Sequence, residues 1–199
     1  MPNFALIIMK RLTFIVLAAI AVCLTACANN TNQQNKEEIR HMKRTLVAYF
    51  SATGTTKRAA ARLAEAVGAD LHEIVPAQSY TAADLDWENK QSRTSREMEN
   101  PDSRPAIADS VAGWADYDTI FIGFPIWWYT APTIVYTFLD KHGIKGKTVI
   151  PFATSGSSTI DKAATDLRKA YPEANWLPGR LFNELSNRDL QQWVAPLRS

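Results

Sequence analysis

Much of the usual equipment of side-chain catalysis is missing from this 199-residue chain. Cysteine occurs twice, at Cys23 and Cys27, so no thiol stands beyond residue 27. Disulfides, thiol catalysis and cysteine metal sites are excluded there. The three histidines, His41, His72 and His142, show no metal-ligand spacing, and each reads most simply as a surface or edge residue. No Gly-x-Ser-x-Gly elbow of a hydrolase is present. Glycine is scarce, at eight residues, and neither the three-glycine dinucleotide fingerprint nor a lysine-bearing P-loop occurs. The acid pairs Asp84 with Asp86 and Glu97 with Glu99 fall in a charged stretch, where solvated acids are the natural reading. A formal charge of only +2 gives no footprint for nucleic acid. What the chain does have is an apolar fraction of 46%, enough for one globular core and too little for two domains.

Its amino end differs from the rest. "MKRLTFIVLAAIAVCLTAC", Met9 to Cys27, sets two positive charges before a continuous apolar run and closes on small residues, the layout of an export signal. The apolar part, Leu12 to Leu24, is short for a membrane-spanning helix. The ending "LTAC" resembles a bacterial lipobox, which implies removal of 1–26 and lipidation of Cys27. Met9 serves a signal better as a start than Met1. On this reading the protein is exported and anchored as a lipoprotein of a bacterial envelope; translation from Met42, "MKRTLVAYF", would instead leave it cytoplasmic. Loss of Lys10 and Arg11 takes the 22 basic residues to 20, against 20 acidic, so membrane attachment would come from acyl chains. Residues 27–42 are polar and turn-rich and read as a tether, with the folded domain at 43–199.

From Arg44 the chain alternates in type. Apolar, β-rich runs at 44–50, 70–75, 118–124, 147–154 and, less clearly, 175–182 are separated by helical patterns. Those helices are expected at Thr55 to Val67, Ile107 to Trp114, Pro132 to His142, Ser158 to Tyr171 and Asn187 to Val194. Strands apolar on both faces and joined by helices predict an α/β fold, a parallel sheet covered on both sides. The long segment Pro76 to Ile107 is highly charged; it is either a solvated excursion or a loop over a site, and charge favours the first. Tyr80, Trp87 and Arg93 are its residues to watch.

Ligands of open parallel sheets bind beyond the carboxyl ends of the strands. Three loops leave such ends. "SATGTT", Ser51 to Thr56, offers hydroxyls at Ser51, Thr53, Thr55 and Thr56, a flexible Gly54, and the free amides of the next helix's first turn. The helix dipole there favours an anion by roughly 0.3 to 2 kcal/mol, so no lysine is obligatory. A plain helix cap needs only one hydroxyl, and on composition alone cap and phosphate site stay level. "GFPIWWYTAP", Gly123 to Pro132, places Trp127, Trp128 and Tyr129 in succession. Neighbouring side chains of extended backbone face opposite ways, so at least one ring is expected to be exposed, as a partner for a flat conjugated ring or as a rim of the core. "FATSGSS", Phe152 to Ser158, is a Ser/Gly turn that alone would be only a cap.

Ser/Thr-x-Thr-Gly-x-Thr directly after the first strand resembles the FMN phosphate loop of the flavodoxin family, and the element order from Arg44 to Leu197 is similar to that of its fold. The resemblance implies a three-layer, five-stranded parallel sheet of order 2-1-3-4-5 with helices on both faces, and non-covalent FMN as cofactor. It assigns the phosphate to Ser51, Thr53, Gly54, Thr55 and Thr56. Pro125, Ile126, Trp127, Trp128 and Tyr129 become the loop flanking the flavin, with Trp127 and Trp128 on the ring, and Thr154, Ser155 and Gly156 its edge. One departure is Tyr129, where such loops often carry glycine, so the one-electron behaviour of flavodoxins is not implied. No catalytic side chain and no metal is required, because the flavin carries the electrons. The implied partners are a redox protein, for an electron carrier, or a nicotinamide and a small acceptor such as a quinone, for an oxidoreductase. Carriers of the family are typically acidic, and this chain is neutral after cleavage.

Overall fold

The computed structural model describes residues 44–183 and 185–197. The expected signal segment 1–26, the tether 27–42 and Cys27 lie outside the described residues. The chain runs β1 (Arg44–Tyr49), α1 (Thr55–Val67), β2 (Asp70–Glu73), α2 (Arg93–Glu99), β3 (Tyr117–Pro125), α3 (Thr133–His142), β4 (Thr148–Thr154), α4 (Asp161–Ala170), β5 (Asn175–Trp176), β6 (Arg180–Leu181) and α5 (Asn187–Val194). The sheet order is β2-β1-β3-β4-β5, all neighbours parallel, with β6 also paired to β4.

Alternation along the strands divides the core. Leu46, Ala48, Ile120, Ile122, Phe124, Val149 and Ala153 pack with α3 and α4 on one face; Val47, Tyr49, Phe121, Ile150 and Phe152 pack with α1 and α5 on the other. The expected three layers are thus present. Helix α1 lies close because its buried stripe is small: Thr56, Ala59, Ala60, Leu63 and Ala64. It ends where Gly68 turns left-handed at φ 64° and the Ala69 N–H reaches the Ala64 carbonyl at 2.9 Å.

The fifth strand position differs from the single run expected at 175–182. Pro178, without an N–H, and Gly179, pressed against Pro151 and Ile160, split it into β5 and β6, which pair with β4 at separate points. The helix expected at Ile107 to Trp114 is absent. Ile107 bridges Pro76, the Ala108 N–H donates to the Val75 carbonyl and the Val111 N–H to His142 Nε2. With its donors engaged sideways and Gly113 at φ 66°, this stretch reaches only a 3-10 turn at Trp114–Asp116. Helix α4 starts at Asp161 rather than Ser158, because Ser155 Oγ captures the Ser157 and Ser158 amides and holds them outside it.

Candidate functional site

β1, β3 and β4 are neighbours, so the loops leaving their carboxyl ends meet. They enclose a cavity of about 610 Å³, lined by Ala52, Thr53, Thr56, the run Pro125 to Tyr129, the run Ser155 to Ser158, and Leu85, Trp87 and Thr94.

At the first loop Gly54 sits at φ 84°, a conformation glycine adopts freely, and its N–H is held by Ser51 Oγ at 3.1 Å. The first helical bond of α1 is Arg58 N–H to the Gly54 carbonyl, 3.1 Å. The amides of Thr55, Thr56 and Lys57 precede it and have no intrahelical partner, and no side chain caps the helix. Ser51 and Gly54 therefore shape the turn, while Thr53 and Thr56 line the cavity. The Thr55 hydroxyl faces Arg58, whose Nη2 lies at 3.4 Å. Lys57 turns to Glu73 at 2.7 Å, outside the lining. Thr154 is buried and joins its hydroxyl to that of Thr56 at 2.8 Å, so it supports the first loop from β4 rather than lining the cavity.

The aromatic loop is a tight two-residue turn. Trp127 and Thr130 exchange both backbone bonds, at 3.0 and 2.9 Å, which places Trp128 and Tyr129 at its corners with φ 45° and 68°. Left-handed backbone at two bulky residues costs about 1–2 kcal/mol each. The turn is held from both sides: Thr130 Oγ1 donates to Asp166 on α4 at 2.8 Å, and Trp127 packs edge-on to Phe50 and Tyr80 with centroids 5.5 Å apart. Trp127 is thereby engaged with the core. Trp128 and Tyr129 are exposed, at 42% and 67%.

The segment Pro76 to Ile107, though largely exposed, also forms a wall of this cavity and supplies Leu85, Trp87 and Thr94. Arg93 and Glu97 pair within the segment, while Arg104 reaches Asp140 of α3. Glu97, expected to be solvated, accepts from Arg93 Nε at 2.6 Å and from the Tyr80 hydroxyl at 2.7 Å, and Arg93 lies 4.0 Å over the Tyr80 ring. Burial and the Glu97 carboxylate push the Tyr80 hydroxyl upward, so it stays a donor. Of the three residues singled out, Trp87 reaches the cavity, whereas Tyr80 and Arg93 brace its wall. Leu85, Thr94, Ala52, Ser157 and Ser158 were not anticipated; only the adjacency of Ala52 and the two serines to the loops could have suggested them. Away from the site, His72 and His142 both pack against Phe138. Among the described residues no cluster is arranged to hold a metal.

The family model described as Flavodoxin matches residues 44–197, nearly the whole described domain. The chain belongs to the flavodoxin family. This flavodoxin-family chain is 54% identical to a flavoprotein candidate from Bacteroides eggerthii DSM 20697, over 78% of this chain and 98% of that one, with a TM-score of 0.76. It is 56% identical to another from Bacteroides uniformis ATCC 8492, over 77% and 98%, with a TM-score of 0.75. A flavoprotein from Lactobacillus acidophilus NCFM, solved in complex with FMN, shares the fold at 21% identity, over 76% and 98%, with a TM-score of 0.61. Among curated proteins nothing matches.

Proposed function

We propose that this chain binds FMN non-covalently and transfers electrons through it. The observation that carries the reading is the make-up of the cavity: Thr53 and Thr56 beside the uncapped amino end of α1, the aromatic run Trp127 to Tyr129, and no charged side chain in the lining. The family and the FMN complex of the Lactobacillus relative support it. The donor set fits the cofactor. Thr53, Thr56 and the first-turn amides of α1 would hold the phosphate, using the helix dipole in place of a lysine. Trp128 and Tyr129 would flank the ring, and Ser155 and Gly156 its edge. When bound, FMN supplies reversible electron transfer, while the protein's share is to bind, orient and shield it. Thr154 holds Thr56 in position from behind, and Asp166 holds the aromatic turn through Thr130.

A second reading, an FMN-dependent NAD(P)H oxidoreductase for a small acceptor, is favoured by the wall that Leu85, Trp87 and Thr94 add, since it makes a pocket beside the strand ends. Spectra of the FMN-loaded protein separate the two. Bleaching by NADH or NADPH with turnover on a quinone supports the enzyme; reduction by a redox protein alone supports the carrier. The "LTAC" ending supports a membrane-anchored lipoprotein, for which Cys27→Ser should release the protein from the membrane fraction; retention there would contradict the anchor.

A further inference from the structure

We propose that Arg58, which stands outside the cavity lining, is a positioning residue that sets the preference of the site for a phosphorylated flavin over riboflavin. The inference rests on the FMN reading and adds to it a charge that acts through Thr55 and the turn.

A base in the first turn of a helix is misplaced on elementary grounds. The aligned peptide dipoles leave that end positive, so it favours acids and disfavours bases. Helix α1 carries no acid in its first turn and places Lys57 and Arg58 there instead. Of the three cations on this helix, Lys57, Arg58 and Arg62, two are answered. Lys57 Nζ meets Glu73 Oε2 at 2.7 Å, and Arg62 Nη2 donates to the Leu185 carbonyl at 2.6 Å and to Asn187 Oδ1 at 3.0 Å. Arg58 forms no ion pair among the described residues. Helical side chains lean toward the amino end, and the exposed guanidinium of Arg58 folds back over the turn. Its Nη2 lies 3.4 Å from Thr55 Oγ1, and a Cβ added to Gly54 would stand 3.7 Å from its Nη1.

This geometry sets an unanswered cation beside the first-turn amides that are assigned to the phosphate. Without an anion the charge opposes the helix dipole and lowers stability. A phosphate monoester carries a charge of about −1.5 to −2 at neutral pH, and beside it the sign of the effect reverses. A local rule broken where a ligand would mend it marks a functional position. Arg58 also acts on its neighbour: with its oxygen accepting from the guanidinium, the Thr55 hydroxyl keeps its proton to give to an anion. The donors lining the cavity stay neutral, and the charge reaches the phosphate end from outside the turn.

Glutamine keeps the helix propensity of arginine without its charge, so Arg58→Gln isolates the effect. In flavin titrations at low salt, Arg58→Gln should bind FMN about fivefold more weakly than wild type and riboflavin unchanged. The FMN difference should close in about 0.5 M salt, and Arg58→Lys should recover most of the loss. Lys57→Gln, whose charge Glu73 answers, should lose less. Thermal unfolding of the flavin-stripped proteins should show the opposite sign, with Arg58→Gln melting about 1 to 3 °C above wild type because a misplaced charge is gone. Unchanged FMN binding, an equal loss of riboflavin, an equal loss in Lys57→Gln, or a flavin-stripped variant that melts no higher would overturn the role of Arg58 and leave the FMN reading standing. Failure of the wild-type protein to take up FMN would overturn both.

Discussion

At the scale of single residues, the site divides into groups that face the cavity and groups that hold them. Thr53 lines it and Lys57 is paired with Glu73 elsewhere, so Thr53→Ala should weaken FMN binding more than Lys57→Ala. Equal losses in flavin titrations of the two variants would count against the assignment. Thr56 differs, because its hydroxyl is buried against Thr154. Thr56→Val keeps the shape but orphans Thr154 Oγ1, and should cost about 1–3 kcal/mol in denaturant unfolding. The four hydroxyls of the first loop were legible from the sequence, but their division of labour was not. Spacing cannot tell that Ser51 closes the turn, that Thr55 faces Arg58, or that Thr154 supports from behind. Which of three consecutive rings is engaged with the core depends on Phe50 and Tyr80, from other elements.

Among elements, the strands were the most legible, because strands buried on both faces are continuous apolar runs whatever surrounds them. Gly123, inside β3, is there for Phe152 of β4, since an added Cβ would stand 2.1 Å from Phe152 Cζ. Gly123→Ala should therefore lower stability by about 1–3 kcal/mol or more, measured by denaturant unfolding. A wild-type midpoint would show that the strands have room to part. The wall segment was the least legible. Helix α2 has seven residues without apolar periodicity, and the contacts of Tyr80, Arg93 and Glu97 that fold the segment inward leave no local pattern. The same holds for Ile107 to Trp114, whose backbone bonds to β2's extension and to His142. That last contact is sensitive to pH. His142 Nε2 accepts from the Val111 amide while Nδ1 meets the Phe138 carbonyl, with His72, Lys141 and Asp109 nearby. Burial favours the neutral ring and holds its pKa below the free value of 6.5. The unfolded chain therefore takes up the proton first, and this contribution is complete above about pH 6.5 and lost as pH falls below it. The melting temperature should drop through that range, and less steeply in His142→Gln, whose amide oxygen can accept from Val111 without titrating. An identical acid limb in the variant would remove His142 from the account.

For the whole molecule, the layers and sheet order followed from alternation and family resemblance together, while the closed side of the cavity required the structure. Three loops at adjacent strand ends are weak signals singly; the fold gives them a common ligand by bringing them together. The same assembly keeps charged side chains out of the cavity lining while placing Trp87, Trp128 and Tyr129 in it, a separation that composition cannot express. On the proposed reading the protein holds one cofactor by the neutral donors of that lining. No helix among the described residues is long and apolar enough to cross a membrane. The direct measurement of the central claim is titration of the purified, flavin-stripped protein with FMN, followed by the cofactor's own fluorescence. Saturable quenching at one FMN per chain, strongly weakened in Thr53→Ala, is the predicted result. Fluorescence that rises in step with added FMN, as for the free cofactor, would contradict it.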